Sequence, residues 1–491
     1  MKRGSLARIL LAAAVLGLAG CEVGPDFRAP QDPSDASYAP PGPAPASSGP
    51  APLAFALGGE VRGDWWTQFH CAPLDGLVQQ AIAGSWTLES ARAHLAQAQE
   101  AVTVASSALL PQLNLSASAA REKLTPASFG LPAGALALPP NFNLLQVGPV
   151  ASYSLDLFGA TRRRIEQAQA LAQMQAEGLK AGYLALTGNT VLQAIALATL
   201  NAQRQALTDI LALDRRNLDL VRTANRVGTV PGTDVVAAQT QLAQDQTLLP
   251  PLEQAQVATT DALALLLGRA PGPWSPPSMS LDDFGSLAQV PVSLPSQLVH
   301  QRPDILAAEA QLHASSAQVG VATAALYPDV SLSAFINGSS LNGSNLFSAS
   351  NIAWSIAAGL TQPIFDGHLR QAQRREALAL YRAYAADYQQ TVLAAFRQVA
   401  DVLHSVRHDE ELLAADQAAL DSAAHDVELQ RAAYANGGSG ILGLLDAQRQ
   451  YQQATMQYVR ARGQRLQDMA QLLVAMGGGT TRTLAPTRGL R

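Results

Sequence analysis

Few residues of this chain are spaced for chemistry. His404 and His408 stand four apart, with Asp401 and Glu411 beside them, so one face of a helix could present two imidazoles and two carboxylates to a metal. No second cluster joins them and no His-Glu-x-x-His occurs, so these four groups are expected to sit on a solvated helix surface. No phosphate-binding glycine loop is found, and no residue stands out as a nucleophile with its base. The reading is therefore of a protein that is not an enzyme, with no metal and no cofactor. The charged groups that do stand out are of another kind. Asp446 has Arg449 three residues on, which on a helix makes an ordinary surface ion pair. Arg162, Arg163 and Arg164 form one basic group, and Arg370, Arg374 and Arg375 form a second. Each basic group opens a long helical stretch, where positive charge is locally unfavourable, so each calls for a partner. Phosphates of the inner leaflet at the rim of a barrel are one candidate, and carboxylates of a neighbouring protomer are the other.

The N-terminus sets the compartment. Lys2, Arg3 and Arg8 precede the apolar run Ile9 to Leu18, which is too short to span a bilayer and reads as a signal peptide over residues 1–20. It ends in Leu18-Ala19-Gly20-Cys21, a bacterial lipobox pattern, so Cys21 is expected to carry lipid. Glu22 after it fits an outer-membrane address. Acyl chains anchor a protein to a surface without spanning it. Cys71 is then the sole remaining thiol, expected to be buried and inert. A net charge of −5 gives no basic face for nucleic acid.

What must position these residues is a set of long helices. Residues 366–436 contain no proline, nor do residues 159–226, and a single helix of either length would measure roughly 100 Å. Each rod follows a strand-like segment and ends in a glycine-containing tip. Each tip leads to a returning helical stretch, over Val235 to Leu267 or Leu442 to Met476. Upstream, an amphipathic helix is predicted from about Leu74 to Leu110, stopped by Pro111. Alternating patterns near Leu113 to Ala119 and Val147 to Phe158 predict a β-hairpin over 111–158 with a long loop.

The same order recurs. A shift of 217 residues lays Leu95, Val102, Val104, Ala105, Leu109 and Pro111 on Leu312, Val319, Val321, Ala322, Leu326 and Pro328, and shifts of 207 and 209 align the helix starts and the tips. The chain thus divides into a Pro-rich, lipid-anchored linker (21–63), repeat 1 (64–270), a second linker (271–295), repeat 2 (296–476, with its hairpin over 328–365) and a C-terminal tail (477–491). Each protomer supplies four strands of transmembrane length. Four cannot close a barrel, and lipid tolerates no open edge, so copies must pool them, as a dimer of eight strands or a trimer of twelve. The other reading is a lipid-anchored coiled-coil scaffold of the envelope, without a pore.

Specific residues now point to a family. Cys21-Glu22-Val23-Gly24-Pro25-Asp26-Phe27, Asp64-Trp65-Trp66, Leu157-Phe158-Gly159, Gln362-Pro363-Ile364-Phe365-Asp366, Arg302-Pro303-Asp304-Ile305 and Ala325-Leu326-Tyr327-Pro328 resemble the TolC-like, NodT-type outer-membrane factor lipoproteins of tripartite efflux pumps. The resemblance covers essentially the whole mature chain. It implies a homotrimer, mainly α, with a twelve-stranded transmembrane β-barrel continued by a long periplasmic α-helical barrel. It also implies a passive exit duct that docks on a periplasmic adaptor and an inner-membrane transporter of RND type. Leu442 and Asp446 match the family's closed periplasmic aperture. Gly228 and Thr229 at the first tip, and Gly437 and Gly438 at the second, would then meet the adaptor. Ala435 stands where members often carry a basic residue, which removes any gate salt bridge through that position. Thr233 or Asp234 could equally be helix N-caps, and Asp304 with Pro303 is expected to start a helix.

Overall fold

The computed structural model describes residues 22–31, 54–59, 61–123, 132, 141–285 and 289–479. The signal peptide, Cys21, most of the Pro-rich linker, most of the loop between the first two long strands and the tail beyond residue 479 lie outside the described residues. Two compact units are formed, and neither is a repeat. The first takes 94–175 and 308–388 together with the N-terminal segment, and the second takes 176–307 and 389–479 together with the region before residue 94. Each unit therefore draws on both repeats.

The first unit is built on a four-stranded antiparallel sheet. We label the strands β2 (Gln112–Glu122), β3 (Phe142–Leu155), β5 (Asp329–Ser340) and β6 (Ile352–Thr361), and they lie in the order β2-β3-β5-β6. The two hairpins join through β3 and β5, with Val150 opposite Phe335 and Tyr153 opposite Leu332. This leaves β2 and β6 as edges. Beside the sheet, Val319 and Ala322 of helix α7 (Pro303–Ala324) pack against Ala377 of α8 (Leu369–Ala435).

The second unit is helical. Its core gathers Trp65 and Phe69 of a short 3₁₀ turn, Leu74 and Leu77 of α1 (Ala72–Gly84), and Leu298 and Ile305 from the second repeat, all fully buried. Cys71 is buried with them, and burial raises its thiol pKa. Helix α3 (Ala160–Arg226) and α9 (Ile441–Ala475) run antiparallel in contact. A Cβ on Gly188 would press on Val474, and one on Gly463 would strike the Thr199 side chain. Further along, Asp214 meets Gln452 and Asn217 meets Gln448. Small residues at the crossings are what let two backbones approach so closely. One 18-residue window of α3 has a mean hydropathy of 1.3, apolar enough to cross a bilayer by length and composition. Val191, Ala194, Ile195, Leu197 and Ala198 of α3 are instead buried in this helical unit.

Three differences from the sequence reading have physical causes. The helix expected over 74–110 is two, α1 and α2 (Trp86–Ser107), because Ser85 turns to an extended conformation and its Oγ accepts the Leu88 N–H. Arg302, its counterpart in repeat 2, breaks α6 (Pro295–Gln301) from α7 in the same way. The first return helix, expected unbroken over 235–267, is split into α4 (Gly232–Gln246) and α5 (Leu249–Leu266), since Pro250 and Pro251 cannot donate into the preceding turn. Finally, both segments read as linkers contribute a strand. β1 (Ala54–Leu57) pairs in parallel with β4 (Gln289–Val292).

Candidate functional site

The register of the sheet assigns every strand residue to a face. One face takes Leu113 and Leu115 of β2, Val147, Ala151, Tyr153 and Leu155 of β3, Val330, Leu332 and Ile336 of β5, and Trp354, Ile356 and Leu360 of β6. The other takes Asn114, Ser116 and Ser118, then Gln146, Ser152 and Ser154, then Ser331, Ser333 and Asn337, then Ser355 and Thr361, with Phe142, Leu144, Val150 and Phe335 as its large apolar members. The apolar face has no core upon it: Leu115 is 77% exposed, Ile356 76% and Trp354 72%. A patch this large has to meet something apolar. With strands of 11, 14, 12 and 10 residues, the dimensions are those of tilted strands crossing a bilayer. The polar face, rich in Ser, Asn and Gln, suits water. A coiled-coil scaffold has no use for such a sheet.

Where β3 ends, the chain enters α3 through Asp156. Its carboxylate accepts the backbone N–H groups of Thr161 and Arg162 at 2.9 Å each, and the Arg162 Nε–H at 3.3 Å. The positive charge at this helix start is thus balanced within the chain. Asp366 treats the start of α8 alike, accepting the Arg370 N–H at 3.3 Å, while the Arg370 guanidinium donates to the Ala325 carbonyl at 2.7 Å. Arg374 is exposed.

Arg163 differs most from its expected place at a membrane rim. Its side chain is 4% exposed and lies within 3.2 Å of Glu22 and 2.7 Å of both Asp26 and Glu166. Glu166 also meets His313 Nε2 at 2.8 Å, and the His313 ring stacks on Phe27 with centroids 4.3 Å apart. Gly24 has φ +106°, and a Cβ there would collide with Gly320. The residues following Cys21 are therefore strapped onto the start of α3 and the C-terminal half of α7. Nothing in the sequence marks Glu166, His313 or Gly320 for this role, because their partners lie far along the chain: Glu166 and His313 are 147 residues apart, and Gly320 meets Gly24.

In the second unit both tips are closed by the same device. Gly228 (φ +81°) and Gly437 (φ +73°) take left-handed conformations, and the next N–H of each turns back to a helix carbonyl, Thr229 to Ala224 at 3.0 Å and Gly438 to Ala433 at 2.8 Å. Leu218, Val221, Ala238, Ile441 and Leu444 pack into one apolar cluster, so the two tips share a core. Neither Thr233 nor Asp234 caps α4, which begins at Gly232 behind Pro231. Gly228→Val and Gly437→Val are each expected to destabilise a tip by about 1–2 kcal/mol, the cost of a left-handed side-chain residue. Faster backbone exchange confined to that tip would be the readout.

Leu442 is 54% exposed at the second tip. Asp446 pairs with Arg449 and accepts the Gln450 side-chain N–H at 3.0 Å. The Arg449 hydrogen bond, then that of Gln450, hold the Asp446 carboxyl below the usual carboxylate range. It stays ionised at neutral pH, and its pairing is lost only as pH falls through that lowered value. His408 lies 3.4 Å from Glu411 on an exposed surface.

Comparison with known proteins agrees with this geometry. The sequence profile of the outer membrane efflux protein family matches residues 77–269 and 294–478. The pyoverdine export outer membrane protein OpmQ of Pseudomonas aeruginosa is 31% identical over 424 residues, covering 84% of this chain and 87% of the relative. The antibiotic efflux pump outer membrane protein ArpC of Pseudomonas putida is 28% identical over 476 residues, covering 97% and 96%. Among solved structures, the outer-membrane channel OprN superposes with a TM-score of 0.84 at 27% identity, over 94% of this chain and all of that one. A membrane-facing sheet with one wet face, continued in sequence by two long helical hairpins, is the architecture these relatives share, and the chain belongs to the outer membrane efflux protein family as an outer-membrane exit channel of an efflux pump.

Proposed function

We propose that three copies of this chain pool their strands into a twelve-stranded barrel and their hairpins into a periplasmic helical duct. The observation that carries this is the sheet itself, apolar on one face and polar on the other, with β2 and β6 left as open edges. Lipid cannot satisfy an open edge, and four strands are too few to close on themselves. Twelve leave room for a lumen lined by the Ser, Asn and Gln face. Purified protein in mild detergent should have the mass of three protomers and should conduct ions across planar bilayers. A single subunit without conductance would overturn the reading.

The duct is passive. It receives cargo from an inner-membrane transporter of RND type through a periplasmic adaptor that seats on the tips at Gly228, Thr229, Gly437 and Gly438. Lipid on Cys21 anchors the mature N-terminus in the outer membrane, and the segment strapped by Arg163 follows it directly. Arg374, exposed at the start of α8, faces headgroup phosphates. Relatives are named for pyoverdine, antibiotics and toluene. That range supports a hydrated conduit for small molecules which relies on its pump for selectivity.

Leu442 and Asp446 form the closing ring at the second tip. Three leucines related by symmetry would plug a narrow opening, and three carboxylates beside them would repel one another unless each kept its Arg449. Asp446→Ala releases Arg449 and is expected to loosen the closed aperture, raising single-channel conductance severalfold. Unchanged conductance counts against a gate at this position.

A further inference from the structure

We propose that Asp214 with Asp245, and Asp409 with Asp468, are two proton-binding sites, each clamping the outgoing helix of a hairpin to its return helix until the shared proton leaves. The function just described uses neither pair. Both are built alike. Asp214 lies on α3 and Asp245 near the end of α4, roughly 20 Å from the first tip; Asp409 lies on α8 and Asp468 on α9, roughly 40 Å from the second. All four residues are at least nine-tenths buried, with relative exposures of 4%, 9%, 9% and 7%. In each pair the return-helix aspartate accepts a side-chain N–H from a glutamine four residues earlier: Gln241 to Asp245 at 2.8 Å, and Gln464 to Asp468 at 3.1 Å.

In each pair the outgoing-helix aspartate keeps one oxygen, Oδ2, buried and without a donor. An ionised oxygen in that position forfeits its hydration and gains nothing in return. The facing aspartate lies within hydrogen-bonding reach, so a proton on the pair turns one carboxyl into a donor to the other. Two carboxylates facing each other in a dry helix interface hold one proton between them for the same reason that two like charges cannot both ionise there. Burial, then the facing aspartate, raises Asp214 and Asp409 to about 7 each.

The surroundings of the two pairs differ. Asp214 is faced by Asp245 from α4 and by the uncharged Gln452 of α9, whose Nε2 donates at 3.3 Å. Asp409 is faced by Asp468 and also feels Glu410 and Arg465, which pair with each other. The first site is flanked by Asp245 and Gln452, and it sits two residues before the break between α4 and α5 at Thr247 and Leu248. A charge appearing there has a ready hinge to move.

The sign follows from linkage. The clamped hairpin holds a proton that separated, solvated aspartates lose near pH 4, so clamping weakens as pH rises from about 4 to about 7 and is lost above that. Full-length protein in lipid vesicles should show an infrared band of protonated carboxyl that disappears with a midpoint near neutrality and shrinks in Asp214→Asn and Asp409→Asn. Backbone exchange in α4 and α9, corrected for intrinsic rates, should be at least about tenfold faster at about pH 8 than at about pH 5. In the double Asn variant, whose amides imitate the protonated pairs, that difference should vanish. The absence of a titrating band in the parent protein overturns the proposal even if the variants fail to assemble. So does an unaltered pH profile in a variant that does assemble. Only the step from loosened hairpins to an open aperture rests on the tips being the gate. Loosening without a change in conductance would overturn that gate and leave the proton sites standing.

Discussion

Ile356→Arg is expected to destabilise the membrane sheet by about 2–4 kcal/mol, the penalty for a cation on the lipid face near mid-depth of an outer-membrane barrel. Ile356 lies at the middle of β6, opposite Ala334, on the face shared with Trp354, Ile336 and Leu332. Nothing on that face can pair with a guanidinium. Ser333→Arg is the matched control: it lies on the adjacent strand, opposite Ala357 and Ser152, and points to the polar face. It should leave stability nearly unchanged and alter ion selectivity instead, since a lumen residue tunes what passes. Urea-dependent folding into bilayers measures the first, and reversal potential across a salt gradient measures the second. Equal tolerance of both arginines would mean that the two faces see the same solvent, and the assignment of lipid and lumen would be lost.

That assignment shows how far a sequence alone can be read. The alternation in Leu113-Asn114-Leu115-Ser116 is visible because the period of a strand is two and each residue reports its own face. The long helices are visible because proline is missing from them, and the repeat because its register persists through helix, strand and tip. Features that depend on a partner far along the chain are not visible. Arg163 reads as one of three adjacent arginines, and only the fold shows that it is buried among Glu22, Asp26 and Glu166 while Arg162 stays with Asp156. Asp214 and Asp409 read as two among many acidic residues on polar helices, since their partners arrive from the return strokes of the hairpins. The break at Thr247 and Leu248 is a different case. Pro250-Pro251 signals it, although the helical pattern continues on either side as if through one helix. The sharp turn at Ser85 had a weaker signal, a Gly84-Ser85 step inside an otherwise helical run, although Pro303 marks its counterpart in repeat 2.

The second large effect is expected from Arg163→Met, which keeps the length of the side chain and removes its charge. Three carboxylates converge on this guanidinium, and they are not equally placed to manage without it. Asp26 is 88% exposed and can be hydrated, Glu22 is 36% exposed, and Glu166 is 24% exposed with His313 as its remaining partner. Because two of the three can return to water, the loss falls short of the cost of stranding a fully buried charge. Charge-assisted bonds to a buried guanidinium still contribute about 1.5–3 kcal/mol each, of which solvation recovers a large part, so a net loss of ~2 kcal/mol is expected. That energy is concentrated on the strap. Among the described residues, other holds on 22–27 are the Val23 N–H to the Phe158 carbonyl at 3.3 Å, Glu22 against Gly159, the close passage of Gly24 over Gly320, and Phe27 stacked on His313. A change of ~2 kcal/mol corresponds to about a 30-fold rise in the released population, which proteolysis of the N-terminal segment in the detergent-purified protein would report. The strap follows Cys21 in sequence and its Val23 N–H meets the Phe158 carbonyl, just beyond the end of β3. If that segment is cut no faster in Arg163→Met than in the parent, the ion cluster is a bystander and the glycine contact with the aromatic stack is what holds the strap.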